Sequence, residues 1–132
     1  LAIWKINPTL IEANRAFTQQ YIFPLNTISM KEEFLNIPLV KNEQDHQYEI
    51  LIEGSKAFIT YRESASQITL LHTEVEDALQ GQGASTAVIE KTLESIESSG
   101  KKLNPLCPLV VAYIKRHPEW KRIVSDNTTS LD

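Results

Sequence analysis

The residues able to do chemistry fall in three places: His72 with Glu74, the turn Gln80-Gly81-Gln82-Gly83-Ala84-Ser85, and Cys107 with Tyr113 beyond it. In an extended run, side chains two apart point to one face, so His72 and Glu74 are neighbours there. Either can act as a general base, directly or through water; equally, the two can form a polar pair that fixes a strand end. A tetrahedral metal site needs further ligands, and no local pattern brings His46 or His117 to them. Glycines at 81 and 83 let the backbone approach a ligand closely or adopt positive φ, and the unpaired N–H groups of a first helical turn favour an anion. A tight strand-to-helix turn also needs glycine on steric grounds alone, so that reading stands beside the anion cradle. Cys107 precedes Pro108, a helix start, where the helix N-terminus favours the nucleophilic thiolate. Cysteine is also among the most often buried residues, and Pro105 and Pro108 can simply hold a tight corner.

The elements that must hold these groups are read from periodicity. Tyr48, Ile50 and Ile52 alternate with Gln47, Glu49, Leu51 and Glu53; Gly54-Ser55 breaks the run, and Ala57 to Arg62 resumes it as a hairpin. Gln67 to Val75 is a third extended run whose Ile68, Leu70, Leu71 and Val75 fall on both faces, as expected of a central strand. Ala84, Ala87, Val88, Leu93 and Ile96 keep helical spacing to Ser99, and Gly100 supplies a left-handed stop. Leu103 to Leu106 reads as a short buried strand, and Pro108 opens a helix with Leu109, Ala112, Tyr113 and Arg116 along one side. On that helix Tyr113 reads as a half-buried core residue with its hydroxyl at the surface; Trp120 and Phe58 read as core. The expected fold is α/β with a mixed sheet, in the order β-β-β-α-β-α. A right-handed crossover makes the last two strands parallel and puts the turn after Val75 at the carboxyl edge, where open α/β sheets bind ligands.

Residues 1–38 read as an N-terminal extension, 39–125 as the domain and 126–132 as a tail. Within the extension Asn7-Pro8 resembles a helix start, and Leu10, Ala13, Phe17 and Tyr21 keep helical spacing until Pro24. Two readings stand for residues 1–29: a helix docked on the domain, or an upstream appendage that packs on a neighbouring molecule. The chain has 132 residues, 42% hydrophobic and 23% charged, enough for one core without staples. The single cysteine cannot form an internal disulfide, which suits a reducing compartment, read here as the cytoplasm. A net charge of −4 with scattered Lys and Arg argues against nucleic acid as a partner. No window approaches the length of apolar chain that spans a bilayer.

The phosphate patterns can be compared directly. No Lys-Ser or Lys-Thr follows the second glycine, so a P-loop fails, and the three-glycine dinucleotide pattern is incomplete. Gln80-x-x-Gly83-x-Ser85 instead resembles the Gln/Arg-x-x-Gly-x-Gly/Ala signature of the GNAT acetyltransferase superfamily. His72-Thr73-Glu74-Val75, the turn, and Pro105-Leu106-Cys107-Pro108 through Tyr113 to Trp120 resemble the short YjdJ-type members, over about Leu39 to Arg122. Ser85 departs from the small Gly or Ala of that signature. The short members also lack the last two strands of full-length enzymes, so their acceptor-side residues have no counterpart here.

The resemblance implies an acetyl-CoA-dependent N-acetyltransferase acting on an amine of a small molecule or protein, as a monomer or weak homodimer. It implies cofactor contacts from Thr73, Val75, Gln80, Gly81, Gln82, Gly83, Ala84, Ser85, Tyr113 and Arg116, with Lys115 a further cation nearby. The implied catalytic set is Cys107, Glu74, His72 and Tyr113, the tyrosine protonating the departing CoA sulfur. Transfer through an acetyl-cysteine and direct attack by the amine are both open for Cys107. A CoA-binding module without turnover is the rival reading, and a purely structural domain a third.

Overall fold

Glu53 and Gly54 both adopt positive φ, 50° and 85°, and this pair closes a two-residue hairpin between β2 (Gln47–Ile52) and β3 (Ser55–Glu63). The computed structural model describes residues 31–126 and 128; the helix expected over Asn7 to Tyr21 lies outside them. Before the hairpin runs β1 (Val40–Asn42), too short to register as an alternating pattern in the sequence. After it come β4 (Gln67–Val75), helix α1 (Ala84–Ser99), β5 (Lys102–Pro105) and helix α2 (Pro108–Arg116). The five strands lie in chain order, β1 to β4 antiparallel and β4 with β5 parallel, as the crossover rule requires. This is the mixed α/β architecture expected from the sequence, with β1 added at one edge.

One face of the sheet makes the core. Tyr48, Ile50, Ala57, Ile59, Tyr61, Ile68, Leu70 and Leu103 are buried on it, and cross-strand pairs such as Tyr48 with Ile59 and Ile50 with Ala57 keep its period of two. Helix α1 lays Ala84, Ala87, Val88, Leu93 and Ile96 across the sheet, all within 1% of full burial, and Gly100 ends it at φ 81°. The helix expected to bury Leu109, Ala112, Tyr113 and Arg116 instead buries Val110, Tyr113 and Ile114. Leu109 is half exposed because Cys107, at the N-cap, fixes the inward phase: 107, 110 and 114 fall on one side.

The run Ile68, Leu70, Leu71, Val75 does not mark burial on both faces. Register along β3 pairs Tyr61 with Leu70 and Thr60 with His72, leaving Leu71 as an extra residue, a β-bulge. The bulge shifts the alternation by one position. Ile68 and Leu70 before it, and Thr73 and Val75 after it, all face the core, whereas His72 and Glu74 face out. Phe58, directly opposite Glu74, is on that outer face too, half-buried under the Lys56 ammonium at 5.4 Å, and so is not in the core as expected. Trp120 is buried as expected, in a 3-10 turn (Pro118–Ile123) that follows α2.

At the other end, a 3-10 turn (Glu32–Phe34) drives Phe34 into the core, 3% exposed, with Ile37 and Leu39 packed against the same cluster. Burying a phenylalanine contributes roughly 1.5–3 kcal/mol, enough to fix where this segment crosses the domain.

Candidate functional site

The ladder between β4 and β5 stops at Leu70 and Pro105. There the Leu70 carbonyl accepts from the N–H groups of both Leu106 and Cys107, 3.0 Å each, and β5 turns away into α2. Beyond that point β4 runs on for five residues with no strand among the described residues on its β5 side. Glu76 N–H donates to the Lys56 carbonyl of β3, so the backbone groups of residues 72, 74 and 76 face β3, and those of Thr73 and Val75 face the opening. The Gln80 amide donates to the Val75 carbonyl at 2.8 Å, tying the following turn to the mouth of this fork.

That turn holds its shape through glycine. Gly81 and Gly83 sit at φ 75° and 87°, the left-handed region, and Gly83 is the N-cap of α1 with no side-chain cap. The Gln82 amide donates to the Ala78 carbonyl at 2.9 Å. Both glutamine side chains therefore tie the turn to the backbone just before it. The N–H groups of Ala84, Ser85 and Thr86 have no partner inside the helix, Ala87 being the first to bond back, to Gly83. Ala84 is buried, while Ser85, the departure from the signature, is half-buried and accommodated in the first turn. Chain reversal at two left-handed glycines before a free helix N-terminus is a fit for a diphosphate.

Across the fork, Cys107 is 2% exposed and its Sγ lies 3.2 Å from the Thr73 hydroxyl, a buried hydrogen bond between β4 and the N-cap of α2. His72 and Glu74 are brought together, Nε2 to Oε2 3.4 Å, but on the outer face, each more than 60% exposed. The bulge at Leu71 thus separates the candidate bases from Thr73 and Cys107 by the thickness of the sheet. Tyr113 is buried, 2% exposed, with its hydroxyl donating to Glu90 Oε1 at 2.6 Å and its ring 4.5 Å from that of His117. The expectation of a hydroxyl at the surface is corrected by this contact. Arg116 and Lys115 are exposed in the last turn of α2, about 13 Å of helix from Cys107.

Glu90 was missed in the sequence, although its signal was present: it falls three residues after Ala87 and three before Leu93, on the buried stripe of α1. A carboxylate in that phase calls for a partner. A cavity of about 520 Å³ beside the turn is lined by Phe34, Leu51, Ile52, Leu79 and Gln82, and includes neither Thr73 nor Cys107. Among the described residues no group of three His, Cys, Asp or Glu side chains is placed to hold a metal ion, and no helix is long and apolar enough to cross a membrane.

A parted pair of parallel strands and a glycine-shaped helix N-terminus thus lie together at the carboxyl edge of the sheet, where the crossover rule puts the turn after Val75. The family model for GCN5-related N-acetyltransferases matches residues 47–123, more than half of the chain. The chain belongs to this family. The match runs from the first residue of β2 through the bulge, the fork and the turn to the last residue of the 3-10 turn after α2. It leaves out β1 and the Phe34 segment. Among curated proteins, none matches the chain.

Proposed function

We propose that the protein is an acetyl-CoA-dependent N-acetyltransferase of the short YjdJ type, acting on a primary amine of a small molecule or protein. The observation that carries this is the parting of β4 from β5 after Leu70 at the edge where α1 presents its N-terminus. Acetyl-CoA supplies an activated acyl thioester. The N–H groups of Gly83, Ala84 and Ser85 and the backbone of Gly81 and Gln82 hold its diphosphate, with Gln80 keeping the turn against Val75. The backbone of Thr73 and Val75 takes the pantetheine amides along the open side of β4. The amine nitrogen bonds to the acyl carbon as the carbon–sulfur bond breaks; the amine gives up one proton and the thiolate takes one. Glu74 or His72 accepts the first through water, Cys107 lines the acyl end, and Tyr113 is the donor to sulfur. Arg116 remains a contact for the remoter phosphate. The single, buried cysteine suits work in the cytoplasm, as a monomer or weak homodimer.

The second reading, a CoA-binding module without turnover, is favoured by two placements: the outward-facing His72 and Glu74, and the commitment of the Tyr113 hydroxyl to Glu90. A thermal melt tests the shared premise. Acetyl-CoA at a hundredfold excess over its dissociation constant stabilises by about 2.7 kcal/mol. No shift at millimolar acetyl-CoA overturns both readings; binding without product across a panel of amines and peptides selects the module.

A further inference from the structure

The proposed diphosphate cradle has glycine, glutamine and backbone amides but no cation of its own; the charged residues leading into it, Glu76 and Asp77, are acidic. A dianionic diphosphate seated there needs positive charge from elsewhere in the fold. A lysine outside the family-matched segment lies against the turn. A Cβ built on Gly83 would stand 3.6 Å from Lys31 Cε and 3.7 Å from Lys31 Cδ, with Phe34 Cε2 also at 3.7 Å. The Lys31 stem therefore passes over the N-cap glycine with room for a methyl group between them, and its ammonium, one bond beyond Cε, is within about 5 Å of that Cβ position.

This placement is anchored. Phe34 N–H donates to the Lys31 carbonyl at 3.0 Å, and the Phe34 ring is buried beside Gly83, so the buried aromatic fixes the backbone from which Lys31 reaches. The lysine itself is exposed. The described lysine and arginine ion pairs are Lys41 with Glu63, Lys56 with Glu49, Lys101 with Glu63, and Arg122 with Glu97, and Lys31 is in none of them. Its ammonium is thus a cation at the rim of an anion cradle, carried on a flexible stem.

Resting on the acetyl-CoA reading, we infer that Lys31 is the cation that pairs with the CoA diphosphate, a binding residue supplied by the segment preceding the family-matched domain. Glycine at 83 serves this by adopting φ 87° at the N-cap, which turns the first N–H groups of α1 toward the same rim.

Titration calorimetry of the full chain, with CoA and with pantetheine, which has no diphosphate, tests this. Lys31→Ala should weaken CoA about five- to tenfold and leave pantetheine unchanged, and should flatten the dependence of CoA affinity on salt. Lys31→Arg should keep most of the CoA affinity. CoA affinity unchanged in Lys31→Ala, or lost in step with pantetheine, overturns the inference while leaving the acetyl-CoA reading intact. Failure of the unsubstituted protein to bind CoA at all overturns that reading, and this inference with it.

Discussion

The Tyr113 hydroxyl donates to the Glu90 carboxylate at 2.6 Å, joining the middle of α2 to the middle of α1 inside the core. A phenol bonded to a carboxylate has its one O–H directed at that acceptor, so Tyr113 can serve a departing thiolate only by turning the O–H away from Glu90. Loss of the donor leaves a buried carboxylate with one partner fewer. Tyr113→Phe is expected to destabilise by about 1–3 kcal/mol in urea unfolding, and Glu90→Gln, which keeps an acceptor, by less. If Glu90 holds Tyr113 away from sulfur in the resting protein, Glu90→Gln raises turnover while Tyr113→Phe lowers it. Equal turnover in all three forms would assign the pair to packing alone.

Gly83 and Gly54 have nearly the same backbone, φ 87° and 85°, in different settings. An added Cβ meets nothing within 4 Å at Gly54 and only ordinary contacts at Gly83, so in both the cost is the left-handed backbone, roughly 1–2 kcal/mol for alanine. Gly54→Ala is therefore the stability control for Gly83→Ala. The two variants should melt alike, and only Gly83→Ala should lose acetyl-CoA affinity, because only there does the strained left-handed residue carry the N–H groups of the cradle. A similar loss of affinity in both would trace the effect to general destabilisation.

Much of this architecture was legible in the sequence because it rests on local chemistry. The alternation of Tyr48, Ile50 and Ile52, the stripe Ala84 to Ile96 and the glycines at 54, 83 and 100 each specify an element without reference to anything distant. What escaped depends on tertiary register. Nothing in Gln67 to Val75 announces that Leu71 is unpaired, since a bulge is a property of two strands, yet it decides that Thr73 meets Cys107 and that His72 does not. The face of α2 was misread for a related reason. Leu109 is as apolar as Val110, and only the corner at Cys107, where two N–H groups converge on Leu70, sets which one turns inward.

Away from the fork, Glu63 at the end of β3 accepts from Lys101 at 2.6 Å and Lys41 at 2.8 Å, tying together the start of β5, the β3–β4 turn and the edge strand β1. The hydrogen bond from Lys101, then that from Lys41, holds the Glu63 carboxyl below its usual 4.5. A carboxylate with a depressed folded pKa stabilises the protein above its unfolded pKa and loses that contribution as pH falls through the folded value. Glu63→Gln should thus cost about 0.5–1 kcal/mol at neutral pH, as a partly exposed pair does, and nothing once pH is well below 4.5. Urea titrations at pH 7 and pH 3 would show the two stability curves converging. The gap at pH 7 should also shrink in 1 M salt, where the screening length falls to about 3 Å.

The separation of His72 and Glu74 from Cys107 by the sheet makes their roles independently testable. Both outer-face residues are well exposed, so His72→Ala and Glu74→Gln should leave stability within about 0.5 kcal/mol. A general base contributes about 10²–10⁴-fold, so the variant that loses turnover on that scale with an unchanged melt identifies the base. Cys107 poses a different question, because a thiol 2% exposed and bonded to Thr73 must be reached through the fork itself. If transfer runs through the cysteine, incubation with acetyl-CoA adds one acetyl group to the intact mass, hydroxylamine removes it as expected of a thioester, and Cys107→Ala abolishes both the adduct and turnover. If the amine attacks directly, no adduct forms and Cys107→Ala keeps most of its turnover, with a modest loss of stability from the missing sulfur contacts. Because the chain contains a single cysteine, any thioester adduct can be assigned to Cys107 without mapping.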